Sequence, residues 1–203
     1  MTREDAALDV AGDANRYVSR GAEKLISALD AFGFDPKERN ALDVGASTGG
    51  FTQVLLERGA AHVCCVDVGS GQLHEDIRGD PRVRALEGAD ARSLSPELIA
   101  GPVTAIVADV SFISLAKALP AALKLAAPGC WLVALIKPQF EVGPDAVGKG
   151  GVVRDEAARS RAVEGVRAWL AAQPGWSVLG VIPSPIRGGD GNIETLIGAH
   201  YDA

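Results

Sequence analysis

The spacing of apolar residues changes along this chain, and the changes mark out its elements. In the stretch SRGAEKLISALDAF, residues 19–32, Leu25, Ile26, Leu29 and Phe32 recur at the three- and four-residue intervals of one helix face. Ser19 stands where an N-cap hydroxyl is useful, and Gly33 and Pro36 stop the helix. Beyond it, short apolar runs alternate with amphipathic ones. Strands are expected at residues 41–44, 62–67, 83–87, 104–109 and 131–136, where β-branched and other apolar residues cluster. Helices are expected over about 50–58, over 114–125 with Pro128 and Gly129 closing it, and over 156–172. Residues 177–182 and 194–199 read as a final antiparallel pair.

Strands that alternate with helices build a mostly parallel sheet covered on both faces, an α/β fold. The strands are continuous apolar runs, as burial on both sides demands. With 203 residues and 47% hydrophobic content, the chain has the material for one domain with a large core. Residues 1–15 show neither period. The expected organisation is a flexible lead over 1–16 and one domain over 17–203. The start lacks the basic and apolar segments of a signal peptide, and no apolar run is long enough to span a bilayer. A cytoplasmic, non-membrane protein is the default expectation. Cys64, Cys65 and Cys130 read as small buried hydrophobes. Two adjacent cysteines on a strand face opposite ways and make a poor start for a metal site, so none is expected.

The net charge of −6 weighs against a nucleic-acid binder that uses its whole surface. It leaves room for a local patch, since steering depends on where the charges sit. Arg16 and Arg20 lie together in sequence, as do Lys149 and Arg154.

Ligands of open α/β sheets bind beyond the carboxyl ends of the strands. The first strand runs into Asp43, Val44, Gly45, Ala46, Ser47, Thr48, Gly49, Gly50, Phe51 and Thr52. Its glycines are spaced G-x-x-x-G-G rather than G-x-G-x-x-G, which suits a cofactor without phosphates better than a dinucleotide. Asp67 ends the second strand, where a carboxylate can bind a ribose diol. Asp90 follows the third, where one can meet an adenine amino group. Asp109 and Lys137 sit at the ends of two nearly wholly apolar strands, a place where a charge costs desolvation unless paired. On the residues alone, that pair reads equally well as a simple ion pair, and Lys24 and Glu194 as surface charges.

Six segments in order, YVSRGAEKL at 17–25, LDVGASTGGFT at 42–52, ADVSFISL at 108–115, IKPQFEVG at 136–143, GKGGVVRD at 148–155 and GNIETL at 191–196, strongly resemble the TlyA family. Its members are ribosomal RNA 2′-O-methyltransferases, some labelled hemolysins, with an FtsJ-like catalytic domain. The resemblance implies a Rossmann-like methyltransferase fold with a seven-stranded, mostly parallel sheet and a C-terminal antiparallel strand. It implies a catalytic tetrad of Lys24, Asp109, Lys137 and Glu194, with Lys137 either taking the proton of the ribose hydroxyl or stabilising the developing alkoxide. S-adenosyl-L-methionine is the implied cofactor, held by Asp43, Gly45, Ala46, Ser47, Thr48, Gly49, Gly50, Phe51, Asp67, Val68, Asp90, Ala91 and Asp109. Ribosomal RNA or ribosomal subunits are the implied partners, met through Arg16, Arg20, Lys149, Arg154 and Arg187, with the oligomeric state open. Family members carry an S4-type RNA-binding module before this domain, whereas about sixteen residues precede the match here. Two rival readings are an inert RNA-binding or assembly module and a nicotinamide-dependent oxidoreductase.

Overall fold

The computed structural model describes residues 16–99 and 101–202. The lead expected over 1–16 therefore lies outside the described residues except for Arg16. Seven strands form one sheet: β1 (Asn40–Val44), β2 (His62–Asp67), β3 (Val83–Glu87), β4 (Val103–Ala108), β5 (Ala126–Ile136), β6 (Trp176–Pro183) and β7 (Thr195–Tyr201). Their order is β3-β2-β1-β4-β5-β7-β6. The first five run parallel, β7 is antiparallel to β5, and β6 is antiparallel to β7. The fold is the α/β architecture that the alternating pattern demands.

The order reverses between β1 and β4, since the chain moves outward from β1 to β3 and returns on the other side. At such a point the loops after the two strands diverge and leave a crevice at their carboxyl ends. The alternation of side chains along each strand divides the core in two. One face packs Ala41, Val63, Cys65, Val107 and Val133 against helices α1 (Gly21–Phe32) and α2 (Gly50–Glu57). The other packs Leu42, Val44, Cys64, Ile106 and Leu132 against α4 (Leu115–Ala118), α5 (Pro120–Leu123) and the long α7 (Glu156–Ala171). The adjacent Cys64 and Cys65 thus enter opposite cores, and all three cysteines are buried free thiols. Among the described residues, no helix is long and apolar enough to cross a membrane.

Several boundaries differ from the sequence expectation, each for a local reason. The helix expected over 114–125 is two short ones, because Pro120 has no N–H to continue the first. Pro128 and Gly129 do not close it but lie inside β5, which begins at Ala126. The register against β4 jumps there, from Val103 opposite Ala126 to Ala105 opposite Trp131, and Gly129 takes a φ of 76°. This stretch precedes the pairing of β5 with β7, which starts at Trp131, so Pro128 removes no bond from that ladder. Arg20, not Ser19, holds the N-cap position of α1, although the Ser19 hydroxyl still accepts from the Gly21 N–H at 3.3 Å. Asp109 and Glu194 lie just outside β4 and β7. Helices α3 (Glu75–Arg78) and α6 (Pro138–Glu141) are single turns, too short to leave a periodic signal.

Gly198 in β7 shows how tightly the first face is packed. A Cβ placed there would stand 2.7 Å from the Phe32 ring at the end of α1. Gly198→Ala should cost about 1–3 kcal/mol through overpacking. Denaturant unfolding with an unchanged midpoint would show that α1 yields more freely than this packing implies.

Candidate active site

The loop after β1 is shaped by its neighbours on both sides. The Gly45 N–H bonds the Val66 carbonyl at 2.8 Å, and the Asp109 N–H bonds the Val44 carbonyl at 3.0 Å. Gly45 has a φ of 84°, and a Cβ there would come 2.8 Å from the Asp109 carbonyl oxygen. Only glycine allows the loops after β1 and β4 to approach so closely. Ser47 has a positive φ of 48°, and its N–H donates to Asp67 Oδ2 at 2.8 Å. The other Asp67 oxygen accepts from the Gly69 N–H at 2.8 Å. Asp67 is thereby fixed at the end of β2, and a carboxylate with about four acceptor directions still has capacity for a ligand.

These loops border a cleft of about 1320 Å³. Of the residues expected to bind cofactor, Gly45, Ser47, Asp67, Val68, Asp90, Ala91 and Asp109 line it. Ala46, Thr48, Gly50 and Phe51 instead line a smaller adjoining cavity of about 280 Å³. Asp43 and Gly49 line neither. Gly49 faces Leu73 and Ile77, where a Cβ would clash. Asp90 lies on the cleft wall, but its carboxylate is held by the Arg92 guanidinium and backbone N–H, which keep its pKa low, at about 2.

The smaller cavity brings the candidate catalytic charges together. Lys24, Asp109 and Lys137 line it, along with Arg20, Ser111 and Ile186. Lys137 Nζ lies 2.7 Å from Asp109 Oδ1 and donates to Ser111 Oγ at 2.8 Å. That Asp109 oxygen has no aligned hydrogen-bond donor, so the contact is one of charge rather than of geometry. Lys24 Nζ donates to Glu194 Oε2 at 2.6 Å, and both residues are buried. Glu194 sits beneath Lys24 and does not itself line the cavity. Gly45, Ser47, Asp109 and Ser111 belong to both cavities and form their common wall.

The basic residues are distributed unevenly. Arg20 reaches the small cavity, and Arg187 is exposed beside Ile186. Lys149 and Arg154 are exposed on a loop tied to the 187–192 segment through buried Asn192, which accepts from the Val153 N–H and donates to the Gly151 carbonyl, each at 2.9 Å. Arg16 is engaged with Glu57 at 3.0 Å and lies over the Tyr17 ring.

The family model of the FtsJ-like methyltransferases matches residues 17–201. A Mycobacterium tuberculosis protein named 16S/23S rRNA (cytidine-2'-O)-methyltransferase TlyA is 53% identical over 195 residues, which is 96% of this chain and 72% of that protein. The chain belongs to the FtsJ-like methyltransferases, in the TlyA family. A Campylobacter jejuni protein named 23S rRNA (cytidine-2'-O)-methyltransferase TlyA is 39% identical over 88% of this chain and 68% of its own length. A hemolysin-named crystal structure from Lactococcus lactis superposes with a TM-score of 0.88 at 42% identity, covering 93% of this chain and 90% of that one.

A methyltransferase of this family takes its methyl group from S-adenosylmethionine, and the larger cleft fits that cofactor. It has the glycine-only approach at Gly45, the anchored Asp67 carboxylate at one side and the Asp109 carboxylate at the other. Two residues of the cleft escape detection in sequence. Phe112 is 91% exposed with a φ of 65°, and its ring lies 5.2 Å from that of Phe140. An apolar residue next to Ser111 carries no sign in the sequence that it will face solvent. Gln139 lines the cleft beside them with a buried, unpartnered Oε1.

Asp43 is the acidic residue that the loop motif misplaces. The alternation of β1 turns it toward α2, where it is fully buried and accepts from Thr52 Oγ1 at 2.7 Å. Burial pushes its carboxyl up to about 7, against the lowering effect of the Thr52 hydroxyl. A carboxyl raised in the folded state favours folding at low pH, and that contribution is lost as pH rises from about 4 to about 7. The melting temperature of Asp43→Asn relative to the unsubstituted protein should therefore climb across this window. A difference that stays constant with pH would show that Asp43 is ionised throughout.

Proposed function

We propose that this chain methylates the ribose 2′-oxygen of cytidine in ribosomal RNA, acting on ribosomal subunits in the cytoplasm. The observation that carries this reading is the common wall of the two cavities. Asp109 faces a cleft suited to the methyl donor on one side and, through Lys137, a small charged cavity suited to a ribose hydroxyl on the other. The activities for which the Mycobacterium tuberculosis and Campylobacter jejuni relatives are named supply the substrate class.

S-adenosylmethionine, when bound, supplies an electrophilic methyl group. The protein's task is then to hold the acceptor oxygen in line and in contact, which can be worth roughly 7–11 kcal/mol. A protonated lysine has three N–H bonds. Lys137 spends one on Ser111, and its charge stands 2.7 Å from Asp109 Oδ1. An N–H remains for the ribose oxygen, whose negative charge grows as its proton passes to water. Lys137 therefore acts as an electrostatic stabiliser placed where charge develops. Lys24, locked on Glu194, gives the opposite wall a fixed position for the ribose. Phe112 offers a solvent-facing ring on which an unstacked base can lie, the usual way proteins hold single nucleotides of RNA. Arg20, Lys149, Arg154 and Arg187 provide a local set of phosphate contacts on a chain of negative net charge, so binding should weaken steeply with salt.

Labelled methyl transfer to isolated ribosomal subunits and to naked ribosomal RNA tests the reading, with nuclease digestion to identify the product. 2′-O-Methylcytidine is the expected product, and label on a base or on protein would refute the proposal. Lys137→Ala should lower single-turnover transfer by about 100-fold or more while cofactor affinity holds, since its contact is made in the transition state. Near-normal turnover would remove Lys137 from the chemistry.

A further inference from the structure

The loop between Asp109 and Ser114 carries both Ser111 and Phe112, yet its own backbone does little to hold it. None of the N–H groups of residues 110–114 meets a backbone carbonyl among the described residues. The loop is held instead by side chains from the single turn after Lys137 and by Lys137 itself. Ser111 accepts from Lys137 Nζ at 2.8 Å, Phe112 packs on Phe140 at 5.2 Å, and the Leu115 N–H donates to Glu141 Oε1 at 2.8 Å. The last of these caps α4 from a distant element. Ser114 occupies the N-cap of α4, where its own hydroxyl ordinarily serves the first turn, but it makes no capping bond. Glu141, 26 residues after Leu115, serves the orphan N–H of that first helical residue. Its half-buried carboxylate is held there against desolvation.

We infer that Glu141 is a positioning residue for methyl transfer. It fixes the far end of the 109–114 loop and thereby sets Ser111 against Lys137 and Phe112 against the incoming nucleotide. The inference rests on the reading of the site as one for an RNA nucleotide. Glutamine keeps a carbonyl acceptor of the same reach, while alanine removes it. Only an acceptor is needed, so charge is dispensable.

Steady-state methyl transfer to ribosomal subunits, compared across the unsubstituted protein, Glu141→Gln and Glu141→Ala, tests it. Glu141→Ala should raise KM for the RNA substrate about tenfold, the factor carried by one lost half-buried hydrogen bond, with a smaller fall in kcat. Glu141→Gln should restore both to within about twofold, as the retained acceptor keeps the cap. Normal KM in the alanine variant, or equal defects in both variants, would overturn the inference. Amide exchange at Leu115 in the unsubstituted protein decides the matter even if the alanine variant does not fold. Protection is expected, and exchange at the rate of an unstructured peptide would show that the clasp does not form. An unsubstituted protein that protects Leu115 but transfers no methyl to ribosomal RNA would instead count against the substrate reading alone.

Discussion

The contact between Asp109 and Lys137 is the constraint around which this site is organised. Parallel pairing sets Ala108, the last residue of β4, opposite Ala134, two residues before β5 ends at Ile136. The two strands are apolar until they end, and each then delivers one charge. Either charge alone would suffer desolvation at the edge of a buried sheet, and together they offset each other. The pairing also sets the course of the chain beyond each strand. The loop after Asp109 lies against the turn after Lys137 through the Lys137–Ser111, Phe112–Phe140 and Leu115–Glu141 contacts.

The second ion pair has a different character. Lys24 and Glu194 are both buried and come from α1 and from the residue before β7, 170 positions apart. A buried pair contributes little net stability compared with apolar packing, yet removing one partner strands the other at a cost of several kcal/mol. Its value here lies in position, since it pins the N-terminal helix to the antiparallel end of the sheet and turns one ammonium toward the small cavity.

Much of this architecture is legible from the chain. The β-branched runs mark the strands, and the charges at 109 and 137 stand out because their strands are otherwise apolar. What escapes is set by tertiary geometry. Asp43 belongs to the same motif as Gly45, but strand alternation sends its side chain to α2 rather than to the cleft. Ala46, Thr48 and Phe51 follow the cofactor loop in sequence yet face the other cavity, because the turn at Gly45 and Ser47 redirects the chain. Phe112 carries no mark of exposure in the sequence, yet its left-handed backbone swings it outward. Nothing in the sequence singles out Glu141, because the helix it caps lies 26 residues earlier.

The claim that Asp109 and Lys137 act as one unit has a direct measure. Single-turnover methyl transfer would be followed at saturating S-adenosylmethionine for the unsubstituted protein, Lys137→Ala, Asp109→Asn and the double variant. Residues that work only together lose their effect together, so the double variant should be scarcely slower than Lys137→Ala alone. Losses that multiply, with the double variant slower by the product of the two single effects, would contradict the account.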